Sequence, residues 1–257
     1  MNPQTILQYD GSFDGFLSSV FLVYEQKINA PIIQKQYEQN NQLFTISEIV
    51  YTDEAKAKRV WRGLQKKISK SQQKVIFKAF LSEIKGVENT LLSYIKKIFK
   101  EPNSNYLDYG DKDILKISQV AKMVEREKHR MEAFVRFKQT KDNTYIATVE
   151  PDFNVLPLLI HHFKDRYADQ KWLIYDIKRA YGIYYNLHKV EIITLNSISK
   201  LNPNIEKDTF SERELDFQQL WKSYFNSVNI KSRKNSKLHI QHLPKRYWKY
   251  LIEKNEF

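Results

Sequence analysis

Apolar side chains first recur at helical spacing over residues 13–26, where Phe13, Phe16, Leu17, Val20, Phe21 and Tyr24 form one stripe. Residues 5–8 before it read as a short strand that ends in the turn Tyr9-Asp10-Gly11-Ser12. Ser12 or Asp14 is placed to cap the helix. Residues 29–41 are polar and read as irregular, whereas 43–51 alternate as a strand does. Thr52 or Asp53 suits the N-cap of a helix through Arg59, Trp61 and Leu64, and further helices fit 71–84 and 87–99.

The segment 101–113 has the composition of a loop. Beyond it Ile114, Ile117, Ala121, Val124 and Met131 mark the longest helical pattern, which runs to about Ala133. Residues 134–138 and 144–150 alternate like a hairpin around Lys141-Asp142-Asn143. A helix fits 155–167, with Pro157 tolerated in its first turn. Residues 172–176 and 181–187 read as a strand pair, 190–195 as a third strand and 212–225 as a helix. No regular alternation of strand and helix is visible. The pattern therefore predicts an α+β fold, a mixed and largely antiparallel sheet packed with several helices in a single compact unit over 1–257.

Composition narrows the chemistry. Apolar residues make up 42% and aromatic residues 14%, enough for a packed core. The absence of cysteine excludes disulfides, thiolate zinc sites, cysteine nucleophiles and self-ligated iron–sulfur clusters. No cofactor is expected. The first residues lack a basic stretch, and Asp10 and Asp14 interrupt any apolar run, so a soluble cytoplasmic protein without a membrane partner is expected. The net charge of +12 raises the expectation of a polyanionic partner, because cations that contact phosphates release condensed counterions.

The basic C-terminal segment, about 229–257, concentrates that charge. From Lys231 to Lys254 eight cations face Glu253 alone. Arg233, Lys245 and Arg246 with Tyr247 and Trp248 have the composition of a surface that grips phosphates and stacks on bases. The alternative is that Tyr247, Trp248 and Leu251 dock into the core while the lysines face water. A second cluster, Arg126, His129, Arg130 and Arg136, offers a two-arginine face for phosphates. In the same segment Glu125, His129 and Glu132 have a spacing compatible with one metal, although a solvated charged face with local ion pairs explains them better. Arg59, Trp61 and Arg62 are further candidates for nucleic-acid contact, with Trp61 more naturally in the core.

Carboxylates suggest a second chemistry. Asp10 and Asp14 flank a strand-to-helix turn that suits capping or a cation better than an anion. Glu150 and Asp152 bracket Pro151 at a strand end, with His161 and His162 following, a residue set used in metal-dependent hydrolysis. Asp152 is also placed to cap the next helix.

Four stretches carry a resemblance: YDGSFDGFLSSVF (9–21), EREKHRMEAFVRF (125–137), VEPDFNVLPLLIHHFKDRY (149–167) and LPKRYWKYL (243–251). Together they resemble a bacterial family described as DNA metabolism or DNA repair proteins, a domain of unknown function. Its members are typically encoded beside a radical-SAM protein and are sometimes fused to a uracil-DNA glycosylase domain. Phe153 and Asn154 stand where the family pattern carries histidine, and a Trp-Asp-Gly-like turn is missing near Tyr184 and Tyr185. The resemblance implies a DNA-linked role, with DNA and a radical-SAM protein as partners, and no catalytic residue. The expectation is a nucleic-acid-binding accessory protein. The alternatives are a metal-dependent DNA-processing enzyme using Asp10, Asp14, Glu150, Asp152 or His161, and a protein scaffold that does not touch nucleic acid.

Overall fold

Strand β1 (Gln4–Tyr9) lies between β2 (Pro31–Lys35) and β3 (Thr45–Ile49) and pairs with both in parallel. Parallel neighbours need a crossover, and helix α1 (Phe13–Glu25) supplies it between β1 and β2. β2 falls in a segment whose polarity suggested irregular chain. The strand is short, and two of its three buried positions are Gln34 and Lys35, so polar side chains mask a buried strand. In this computed structural model residues 4–37, 45–100, 109–194, 210–211, 214–228 and 236–254 are described. The chain divides into two compact units, 1–125 and 126–257, with one sheet in each.

The helices of the first unit start where their caps direct. The Ser12 hydroxyl accepts the Gly15 N–H at 2.9 Å, which settles the choice between Ser12 and Asp14. Asp53 takes two N–H groups at the start of α2 (Glu54–Gln65). Ser69 and Gln72 form a capping box at α3 (Lys70–Leu81). Helices α4 (Val87–Lys100) and α5 (Lys112–Phe134) follow, and the division between units falls inside α5. Phe13 gathers the rings of Trp61, Phe77 and Phe80 at 5.4, 5.1 and 5.1 Å. Trp61 is thus a packing residue.

In the second unit five strands run in the order β4 (Lys138–Gln139), β5 (Thr144–Val149), β6 (Lys171–Asp176), β7 (Tyr181–Tyr185) and β8 (Val190–Thr194). Neighbours are antiparallel except β5 and β6, which α6 (Leu156–Arg166) joins as a parallel crossover. The expected first hairpin arm is shorter than its alternation suggested, because α5 continues to Phe134. Helices α7 (Glu214–Val228) and α8 (Ser236–His242) precede two tight helical turns, Lys245–Tyr250 and Ile252–Lys254. Leu243, Tyr247 and Leu251 of this tail are buried, each contributing roughly 1.5–3 kcal/mol. The fold is α+β, and both sheets contain crossovers that the alternation alone did not disclose. No helix among the described residues is long and apolar enough to cross a membrane.

Candidate functional site

Charged side chains gather around the turn Glu150-Pro151-Asp152, between the end of β5 and the start of α6. Arg179, in the connection between β6 and β7, holds this turn. Its guanidinium donates to the carbonyls of Pro151 (3.1 Å) and Asp152 (3.0 Å) and to Asp176 Oδ2 (2.8 Å). Asp176 is fully buried. Burial pushes its pKa up, with Arg179 pulling in the opposite direction. Lys178 Nζ also donates to the Asp152 carbonyl, at 3.1 Å.

Beneath the turn lies Glu127 of α5, only 2% exposed. Its carboxylate accepts the Asp152 N–H at 2.9 Å and the Tyr247 hydroxyl, and it pairs with Arg246 at 3.4 Å and Arg130 at 3.5 Å. A carboxylate this buried costs several kcal/mol to desolvate, and these donors offset that cost. The Tyr247 hydroxyl is pushed well up, first by burial and then by Glu127 beside it.

The tail closes over the turn. Asp152 Oδ2 meets Arg246 at 2.6 Å. Glu150 accepts from Lys249 and from the Tyr250 hydroxyl, the latter at 2.7 Å. The hydrogen bond from Lys249, then that from Tyr250, lowers the Glu150 pKa against the effect of burial. Burial and Glu150 together push the Tyr250 hydroxyl up to about 12. The result is an open recess of about 460 Å³ lined by Glu150, Pro151, Asp152, Lys178, Lys245, Arg246 and Lys249. Four cations surround two carboxylates, so the recess favours an anion.

The tail docks into the core through two of its three expected anchors, and its cations lie on another face. Tyr247 and Leu251 point inward, while Lys245, Arg246 and Lys249 line the recess. Trp248 is half-buried, donates to the Leu243 carbonyl at 3.1 Å, and has Lys254 over its ring at 5.1 Å.

The other candidates are dispersed. Arg126 and His129 are exposed, with the His129 ring 3.8 Å from Glu132. Arg130 reaches Glu127 and, at 3.4 Å, the Gln241 carbonyl. Arg136 binds Glu253 at 2.9 Å and lies over the Trp221 ring at 5.3 Å, an arrangement that ties the tail down. Arg233, Lys231 and Lys234 lie outside the described residues, as does most of the expected loop 101–113. His161 is exposed on α6 and is not among the residues lining the recess.

Asp152 does not cap α6. The N-cap is Val155 with no side-chain bond, because the Asp152 carboxylate is turned to Arg246. In the first unit Asp10 accepts from the Ser12 backbone and hydroxyl and from Thr52, at 2.9, 2.7 and 2.8 Å. Burial raises its pKa, but these hydrogen bonds outweigh that and the net shift is downward. Asp14 is exposed in the first turn of α1. Glu125 pairs with Lys78, and Glu132 takes Lys128 at 2.8 Å. No group of three or more His, Asp and Glu side chains placed to hold a metal occurs among the described residues.

Five residues of this arrangement escaped the sequence reading: Glu127, Asp176, Lys178, Arg179 and Tyr250. Glu127 carried a legible signal. It lies three residues after Val124 and four before Met131, both buried, so a carboxylate occupies the apolar stripe of α5. Asp176 and Arg179 carried none, since only the β6–β7 pairing turns them toward residues 150–152.

Fold and site define an α+β protein whose C-terminal tail and strand-end turn share a cationic recess. The chain belongs to the family described as the domain of unknown function DUF4130, whose model matches residues 85–253. Three of the four stretches quoted above lie within the match, and 9–21 lies outside it. No curated protein matches the chain.

Proposed function

We propose that the protein is a nucleic-acid-binding accessory in DNA metabolism or repair, acting beside a radical-SAM partner that supplies the chemistry. The observation that carries the binding reading is the recess, where Lys178, Lys245, Arg246 and Lys249 meet around only two carboxylates. Phosphate contacts dominate the affinity of such proteins and make it depend on salt. The DNA context and the radical-SAM partner rest on the resemblance of 9–21, 125–137, 149–167 and 243–251. The enzyme alternative has less support. Glu150 and Asp152 are each turned to a cation, and a metal would have to displace Lys249 or Arg246 to reach them.

Removing the whole tail is a poor test, because Leu243, Tyr247 and Leu251 are part of the core. Point substitution is the better one. Lys178→Gln with Lys245→Gln removes two exposed cations of the recess and neither of its two ion-paired ones. Fluorescence anisotropy with a labelled DNA oligonucleotide at several salt concentrations is expected to show weaker binding. The slope of log affinity against log salt should become shallower by about two. Binding weaker than about 10⁻⁴ M at low salt, for the unsubstituted protein, would overturn the reading.

A further inference from the structure

A second basic surface lies in the first unit, on residues that the family model does not cover. Between Glu54 and Lys74 eight cations face a single acid, Glu54. Lys58 pairs with Glu54 and Lys56 with Glu25. The other six are Arg59, Arg62, Lys66, Lys67, Lys70 and Lys74, and none pairs with a carboxylate among the described residues.

The geometry of α2 separates its two sides. Ala57, Val60 and Leu64 are buried, and Arg59, Arg62 and Lys66, three and four residues apart, share the opposite, exposed side. Phe21 lies under the Arg59 guanidinium at 5.6 Å, which orders that side chain without neutralising it. At 1.5 Å per residue the three span about 10 Å along the helix. That matches about three phosphates of one DNA strand, spaced about 3.4 Å along the duplex axis. Lys70, also exposed, follows directly after the Ser69 cap as the first residue of α3.

We infer that Arg59, Arg62, Lys66 and Lys70 form a second docking surface, for the phosphate backbone of a nucleic acid. Charge complementarity favours that occupant, and the pattern of exposure favours it over an anionic membrane. A helix that lies on a bilayer inserts its apolar side. Here that side is buried in the protein, and no large apolar side chain is exposed between 54 and 74. The surface shares its partner class with the recess but none of its residues, so each can hold or fail alone. Two such surfaces on one chain raise affinity through effective concentration wherever one strand reaches both.

The test replaces Arg59, Arg62, Lys66 and Lys70 with Gln in the full chain and compares it with Lys178→Gln/Lys245→Gln and with the unsubstituted protein. All four side chains are exposed, so circular dichroism and the thermal midpoint should not change. Arg59→Lys with Arg62→Lys, which keeps the charge, is expected to retain binding. For the quadruple variant the anisotropy slope against log salt should become shallower by roughly three, at about 0.7–0.9 per lost contact. An unchanged slope and affinity overturn the inference even if the recess variant weakens binding. The reverse result supports it and removes the recess reading. Unchanged DNA affinity with loss of binding to phosphatidylserine vesicles assigns the surface to a membrane and also overturns it.

Discussion

Between Glu54 and Lys74, and again between Lys231 and Lys254, eight cations stand against one acid. The two segments are alike in charge and differ in what the cations meet. On α2 and α3 most remain unpaired at the surface. In the tail Arg246 is turned to Asp152 and Glu127, Lys249 to Glu150, and Tyr247 and Leu251 are buried between them. A cation already paired must give up its carboxylate before it can hold a phosphate, whereas an unpaired one gives up only water and counterions. The tail is therefore structural first, and only the cations that its internal pairs leave over are available to an anion. Charge per segment reads the same in both cases and does not distinguish them.

That contrast predicts where substitutions hurt. The largest effect should come from Glu127→Ala, which leaves the Asp152 N–H and the buried Tyr247 hydroxyl without their acceptor and takes one partner from each of Arg246 and Arg130. Each buried donor left unsatisfied in this way costs about 1–3 kcal/mol, measurable by urea denaturation. Leu251→Ala, at a fully buried position, should cost about 2–5 kcal/mol. If either left stability unchanged, the tail would not be the docked element described here. Tyr247→Phe removes one hydrogen bond to Glu127 and keeps the ring, so a loss of about 1–2 kcal/mol is expected.

Acid should loosen the tail before it affects α2. Glu150 has a lowered pKa in the folded protein, owing to its bonds from Lys249 and Tyr250. Its contribution is therefore complete above the ordinary carboxylate range and is lost as pH falls through the lowered value. Glu253 behaves in the same sense, since burial raises its pKa but the bond from Arg136 outweighs it. Limited proteolysis at decreasing pH should cut the tail first, and Glu150→Gln should make that loss less dependent on pH. The smallest effect belongs to the first unit. Gln at Arg59, Arg62, Lys66 and Lys70 should change stability by no more than about 0.5 kcal/mol, as exposed substitutions usually do. A larger loss would mean these side chains are structural after all.

Much of the fold was legible along the chain. Helical periodicity located α1 to α7 to within a few residues, because their apolar positions recur three and four residues apart. The strands β6, β7 and β8 were equally plain. β2 was not, because its buried Gln34 and Lys35 look like surface residues. Strand direction was not legible either. Alternation reports which side of a strand is buried and is blind to whether its neighbour runs parallel, so the crossovers through α1 and α6 emerged only from the pairing.

Of the candidate site, the sequence by itself determined the parts: the carboxylates Glu150 and Asp152, the cations Lys245 and Arg246, and the aromatic anchor Tyr247. Only the tertiary structure decided that these parts meet. Glu150 and Lys249 are ninety-nine residues apart and Glu127 and Tyr247 one hundred and twenty, separations across which spacing carries no geometry. It also decided the partners. A cation pairs with whichever carboxylate the packed core holds within reach, and in this chain the core holds Glu127 beneath the tail.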